Sequence, residues 1–131
     1  EFSIINAVII SNIIKNFCSN KKITFKWPND VLVDEKKISG ILQELITHNK
    51  KKFLIVGIGI NIISNPNLDE EYMATNIYSE TGKKITIKNI MDMMISSYEK
   101  FFINLNSYNY ISFKEKVDLM TSNYKTLAWT Q

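Results

Sequence analysis

The segment of this chain best equipped for chemistry is Lys26-Trp27-Pro28-Asn29-Asp30. Pro28 fixes φ and removes a backbone donor, so a strand carrying Lys26 ends near Trp27. Asn29-Asp30 supplies turn chemistry, and Val31-Leu32-Val33 opens a new extended run. Lys26 therefore stands at a strand end beside a tight turn, where open sheets commonly place ligand-binding groups. A compact ammonium there suits an anion such as a carboxylate or a phosphate. Two further segments follow, Ser39-Gly40-Ile41-Leu42 and Gly57-Ile58-Gly59-Ile60-Asn61. Glycine inside an apolar run weakens a strand and marks the close approach of another backbone or a ligand. One lysine and three glycines on neighbouring strands point to one shared pocket.

The elements that must position these residues can be read along the chain. Ile5, Val8, Ile9, Ile13 and Phe17 recur at spacings of three and four, which predicts a buried helix over 3–18. Strands are expected over 22–27, 31–34, 37–46 and 53–63. The turns between them fall at Asp34-Glu35-Lys36 and Thr47 to Lys52. The unbroken apolar character of Phe53 to Ile63 reads as a strand covered on both faces. Past Pro66 the pattern becomes helical. Leu68 to Glu80 forms a short helix closed by Gly82 as a left-handed cap. Thr86 caps a second, whose stripe holds Ile90, Met91, Met94, Ile95, Tyr98, Phe101, Phe102 and Leu105. Tyr110, Phe113, Val117, Met120 and Tyr124 define a third. The methionine and aromatic stripes read as core. Consecutive strands with short turns imply antiparallel pairing, with helices packed beside a mostly antiparallel or mixed sheet. The fold class is α+β, in one domain over residues 1–131.

Composition narrows the function. With 45% hydrophobic and 22% charged residues, the 131-residue chain has an ordinary globular composition. A net charge of +3 does not call for a nucleic-acid partner. All 16 basic residues are lysines. Cys18, the single cysteine, lies in an apolar helical run and reads as a small buried residue. His48 is the single histidine, which argues against a metal centre or a histidine-based triad. Asn6, Ser11, Asn12 and Lys15 break the apolar run that begins at Phe2, so no membrane span or signal peptide is expected. The expected compartment is the cytoplasm.

The order and spacing of the three motifs resemble the biotin protein ligase family, which carries Lys-Trp-Pro-Asn-Asp, then Gly-Ile-Leu, then Gly-Ile-Gly-Ile-Asn. The resemblance extends across residues 2–129 and is specific over 26–61. It implies part of a class II synthetase-like catalytic domain. It also implies the reaction: biotin and ATP (with its Mg2+) give biotinyl-5′-adenylate, and biotin then passes to a lysine of a carboxylase carrier domain. On this reading Lys26 is catalytic and meets the biotin carboxylate. Gly40, Ile41 and Leu42 face the biotin rings. Gly57, Gly59, Asn61, Thr75 and Asn29 lie on the nucleotide side, although turn chemistry alone also accounts for Asn29 and Asp30. Trp27 either stacks on a ligand or fills the core, and Ser39 and Glu44 are structural. The resemblance further implies a homodimer through the sheet. The family's arginine- and glycine-rich loop has no counterpart here, so the 131 residues alone are expected to be inactive. A non-catalytic binding module and a lipoate-type ligase are the alternatives.

Overall fold

The first helix, α1 (Phe2–Phe17), is buried on nearly every side, from Ile4 to Ile14. Its isoleucines are long enough to fill the space between a sheet and a second helix, and that is where the computed structural model places them. The structure describes residues 2–67, 73–109, 111–112 and 114–115. Four strands follow α1: β1 (Ile23–Lys26), β2 (Asp30–Val33), β3 (Lys36–His48) and β4 (Lys51–Ile60). They form one antiparallel sheet in the order β1-β2-β3-β4. After a loop come α2 (Ile77–Thr81) and α3 (Ile87–Ile103), then a 3₁₀ turn at Leu105–Ser107.

The β2–β3 and β3–β4 turns are two-residue turns without glycine. Asp34 and Glu35 have φ of 46° and 64°, and Asn49 and Lys50 have 49° and 62°. Positive φ at both central residues matches the right-handed twist of the flanking strands and so sets their register. The β1–β2 turn contains a cis peptide between Trp27 and Pro28.

α1 and α3 lie on one side of the sheet. Phe25, Val31, Ile38 and Ile41 are buried there with the α1 isoleucines, Ile77 and Ile90. Tyr98 of α3 donates to Asn6 Oδ1 of α1 at 2.7 Å. The other face of β3 and β4 is open. Leu42 is 70% exposed and Ile55 49%. The expectation that β4 is covered on both faces is therefore corrected. Its apolar residues reflect one packed face, and among the described residues nothing stacks on the other.

The helix ends follow their capping chemistry. Thr86 and Asn89 form a reciprocal capping box at the start of α3. Gly82 closes α2 at φ 68°, as expected. α2 itself is shorter than the helix expected over Leu68 to Glu80, because Asn76 caps it and Ile77 is its first residue; residues 68–72 lie outside the described ones. The expected third helix, Tyr110 to Tyr124, lies almost wholly outside them too. β4 stops at Ile60 rather than Ile63: Asn61 N–H still donates to Ile38 O at 2.9 Å, but its carbonyl turns to accept from Ile77 N–H at the start of α2.

Candidate functional site

Lys26 pairs with Asp30, Asp30 with Gly40, and Gly40 with Gly59. Residues directly opposite one another in an antiparallel sheet share a face. One transverse row therefore carries a lysine, an aspartate and two bare glycines across all four strands, on the side away from α1. The next row on that face pairs Leu42 with Gly57. The three motifs thus converge on one surface, as their spacing suggested.

A second lysine, missed in the sequence, belongs to the same place. Lys37 Nζ lies 2.8 Å from Asp30 Oδ1. It also lies 3.6 Å from where a Cβ on Gly40 would stand. A register shift in the β2–β3 ladder puts it there: Val31 pairs with Ser39, but Leu32 pairs with Lys37. Ile38 is the extra residue of this bulge, and both Ile38 and Ser39 are buried. Plain alternation would have sent Lys37 to the helix face, and the bulge returns it to the glycine face. No sequence signal marks the bulge, because Ile38 reads as an ordinary apolar strand residue.

The glycines are not demanded by the sheet. A Cβ at Gly57 would meet nothing closer than Leu42 O at 3.7 Å, and one at Gly59 nothing closer than Gly40 O at 4.0 Å. These are ordinary contacts, so the bare floor is available to something outside the sheet.

The remaining candidates divide. Ile41 is 5% exposed and pairs with Ile58 on the helix face. Its side chain therefore belongs to the core, since by alternation Gly40 and Leu42 face one way and Ile41 the other, which leaves only its backbone for the contact with biotin rings that the resemblance implies. Asn29 sits in the turn, and its carbonyl accepts from Ile41 N–H at 2.8 Å, which ties the β1–β2 hairpin to β3. Ser39 donates its hydroxyl to Gly59 O at 2.7 Å and is structural. Trp27 packs edge-on to Phe25, with centroids 6.1 Å apart.

Asn61 and Thr75 are brought together, but by each other. Asn61 Nδ2 donates to Thr75 O at 3.0 Å, and Ile77 N–H donates to Asn61 O at 3.0 Å. Thr75 is buried and gives its hydroxyl to Glu80 Oε1. Each keeps further capacity, Asn61 through Oδ1 and its second amide hydrogen and Thr75 through its hydroxyl lone pairs. The 73–75 segment also grips Lys37: Lys37 N–H donates to Met73 O at 2.9 Å and Thr75 N–H to Lys37 O at 2.8 Å.

Behind this segment lies Glu80, whose side chain is 4% exposed. Its Oε1 takes the Lys36 ammonium, and Oε2 lies 3.3 Å from Lys21 Nζ. Burial pushes the carboxyl up, but hydrogen bonds from Lys36, Thr75 and Lys21 outweigh it and hold the group below the ordinary glutamate range. Cys18 is buried as expected, and burial, followed by the Glu80 charge, pushes its thiol up.

This arrangement of sheet and row defines a class. Residues 3–61 match the biotin/lipoate A/B protein ligase family. The bifunctional ligase/repressor BirA of Bacillus subtilis is 32% identical over 93 residues, covering 68% of this chain and 29% of that protein. The biotin--[acetyl-CoA-carboxylase] ligase of Paracoccus denitrificans is 29% identical over 94 residues, covering 68% of this chain and 39% of its own length. The Aquifex aeolicus biotin protein ligase, solved in complex with biotin and ATP, superposes with a TM-score of 0.72 at 29% identity, covering 91% of this chain and 50% of that one. The Leishmania major biotin protein ligase, 20% identical with a TM-score of 0.76, shares the fold. In motifs, sequence and fold the chain matches part of a biotin protein ligase. It spans about half the length of the solved relatives and less of the curated ones.

Proposed function

We propose that the chain forms part of a biotin protein ligase acting in the cytoplasm. The reaction is attack of the biotin carboxylate on the α-phosphorus of ATP, releasing pyrophosphate and giving biotinyl-5′-adenylate. A carrier-domain lysine amine then attacks the biotinyl carbonyl and AMP leaves. The observation that carries this reading is the row Lys26–Asp30–Gly40–Gly59 with Lys37 held above Gly40.

The first step brings two anions together. Two ammonium groups on one side of a bare backbone floor offset that repulsion and strengthen as charge shifts to the leaving phosphate. Each charge-assisted bond contributes roughly 1.5–3 kcal/mol. Asp30 holds Lys37 without neutralising the row, since Lys26 stands across from it. Leu42 and the open backbone at Gly57 give an apolar wall for a ring system. The magnesium ion travels with ATP and takes no side-chain ligand in this scheme. The carrier domain approaches from the glycine face, and a second copy pairs through the sheet.

The test is to incubate the intact protein with labelled biotin, ATP, magnesium and a biotin carrier domain. Label on the carrier, lost in Lys37→Met and Lys26→Met, supports the reading. Label transferred from lipoate but not from biotin would move the assignment to the lipoate branch of the family. No transfer of either, with the fold intact, would make this a binding module.

A further inference from the structure

Lys36 and Lys37 are neighbours in sequence that leave β3 on opposite faces. Lys37 reaches Asp30 above the glycine floor, and Lys36 reaches the buried carboxylate of Glu80. We propose that Glu80 is a positioning residue of the site, acting through Lys36 and Thr75 on the backbone of Lys37. The inference rests on the reading above that Lys37 serves the anions.

The connection is continuous and short. Glu80 Oε1 accepts from both the Lys36 ammonium and the Thr75 hydroxyl. Thr75 N–H and Met73 O in turn bond the carbonyl and N–H of Lys37 at 2.8 and 2.9 Å. The Lys37 peptide is thus clamped by a segment that Glu80 holds from behind, beside a lone parallel bridge between Lys37 and Ala74. The lysine stem is flexible, so the ammonium keeps one place only if its backbone is fixed at one end and Asp30 receives it at the other. Lys21, 3.3 Å from Oε2, supplies the second cation that keeps a buried carboxylate ionised. The glutamate reaches no point of the glycine face itself. Its work is done through Lys36 and Thr75.

The experiment uses the intact protein with Glu80→Gln and Thr75→Val. The second variant removes one bond and leaves the carboxylate with both lysines, so it folds even where loss of the buried charge is too disruptive. Three quantities are read: solvent exchange of the Lys37 and Thr75 amides, separation of the two Lys37 ε-proton resonances, and binding of inorganic pyrophosphate by calorimetry. Both variants are expected to speed exchange at those two amides by about tenfold or more, merge the ε-proton signals and weaken pyrophosphate about tenfold. Adding Thr75→Val to Lys37→Met is expected to cost no further affinity, because both act on one contact. Exchange and ε-proton signals that stay as in the wild type, whatever happens to Tm, overturn the proposal. Equal pyrophosphate binding by the wild type and Lys37→Met sinks the functional reading instead, and the first two readouts still decide whether Glu80 places Lys37.

Discussion

Lys37 and Asp30 meet at 2.8 Å over the backbone of Gly40, with Lys26 on the neighbouring strand of the same face. The ion pair is partly exposed, with side chains 31% and 19% accessible. It is therefore a poor stabiliser and a good reservoir of charge for an arriving anion.

Lys37→Met and Lys26→Met should each lower ATP–pyrophosphate exchange by about 10- to 100-fold while Tm moves little, because the lost bonds strengthen in the transition state. Exchange at the wild-type rate in Lys26→Met would remove that residue from the site and leave Lys37 alone.

The glycine floor gives a second, opposite pair of effects. Gly40→Val places a branched side chain against the Lys37–Asp30 pair and across the bare surface. A valine is a better strand former than glycine, so thermal stability should hold or rise slightly while biotin binding is lost. Retained biotin affinity in a folded Gly40→Val protein would move the ligand elsewhere.

Much of this was legible in the sequence, and what was not has physical causes. The strands, turns and α3 follow from periodicity and capping chemistry, and the glycines marked the face. The resemblance places Ile41 beside the ligand through its backbone, and alternation sends its side chain to the core. Lys37 went unnoticed because a one-residue bulge at Ile38 decides its face, and a bulge leaves no mark on composition. The resemblance places Thr75 and Asn61 on the nucleotide side, and apolar periodicity does not show that Thr75 gives its hydroxyl to Glu80 or that Asn61 bonds Thr75 O. Pairing between polar side chains is invisible to apolar periodicity.

Glu80 should also leave a pH signature. Its carboxyl is held below the ordinary value of 4.5, since hydrogen bonds from Lys36, Thr75 and Lys21 outweigh burial. The unfolded chain then binds more protons than the folded one in mild acid. The contribution is fully present above about pH 4.5 and is lost as pH falls through the folded value. Urea unfolding between about pH 3 and 7 should show stability rising with pH, with a flatter profile in Glu80→Gln. Identical profiles would contradict the assignment.

Tyr98 and Asn6 offer a packing test on the other side of the sheet. Burial pushes the tyrosine hydroxyl up to about 12, and it donates to Asn6 Oδ1 at 2.7 Å. Among the described residues Asn6 Nδ2 has no partner of its own. Tyr98→Phe strands a buried acceptor and should cost about 1–3 kcal/mol in chemical denaturation. The double variant with Asn6→Leu should recover much of that loss. Additive losses in the double variant would show that the two groups are not coupled.

The open face bears on assembly. Phe53 and Ile55 are exposed on β4 beyond the glycine row, and β4 is an edge strand among the described residues. Light scattering at tens of micromolar (roughly) should show self-association that weakens in Ile55→Lys. A clean monomer in the wild type would remove the proposed dimer.

The far end of the β3–β4 hairpin has a practical use. Residues 47–52 are exposed, and Asn49 and Lys50 close the turn well along the strands from Gly40 and Gly59. Foreign sequence inserted between Asn49 and Lys50 opens no core and crosses no part of the glycine row. A dye or epitope carried there would report on this molecule without touching its chemistry.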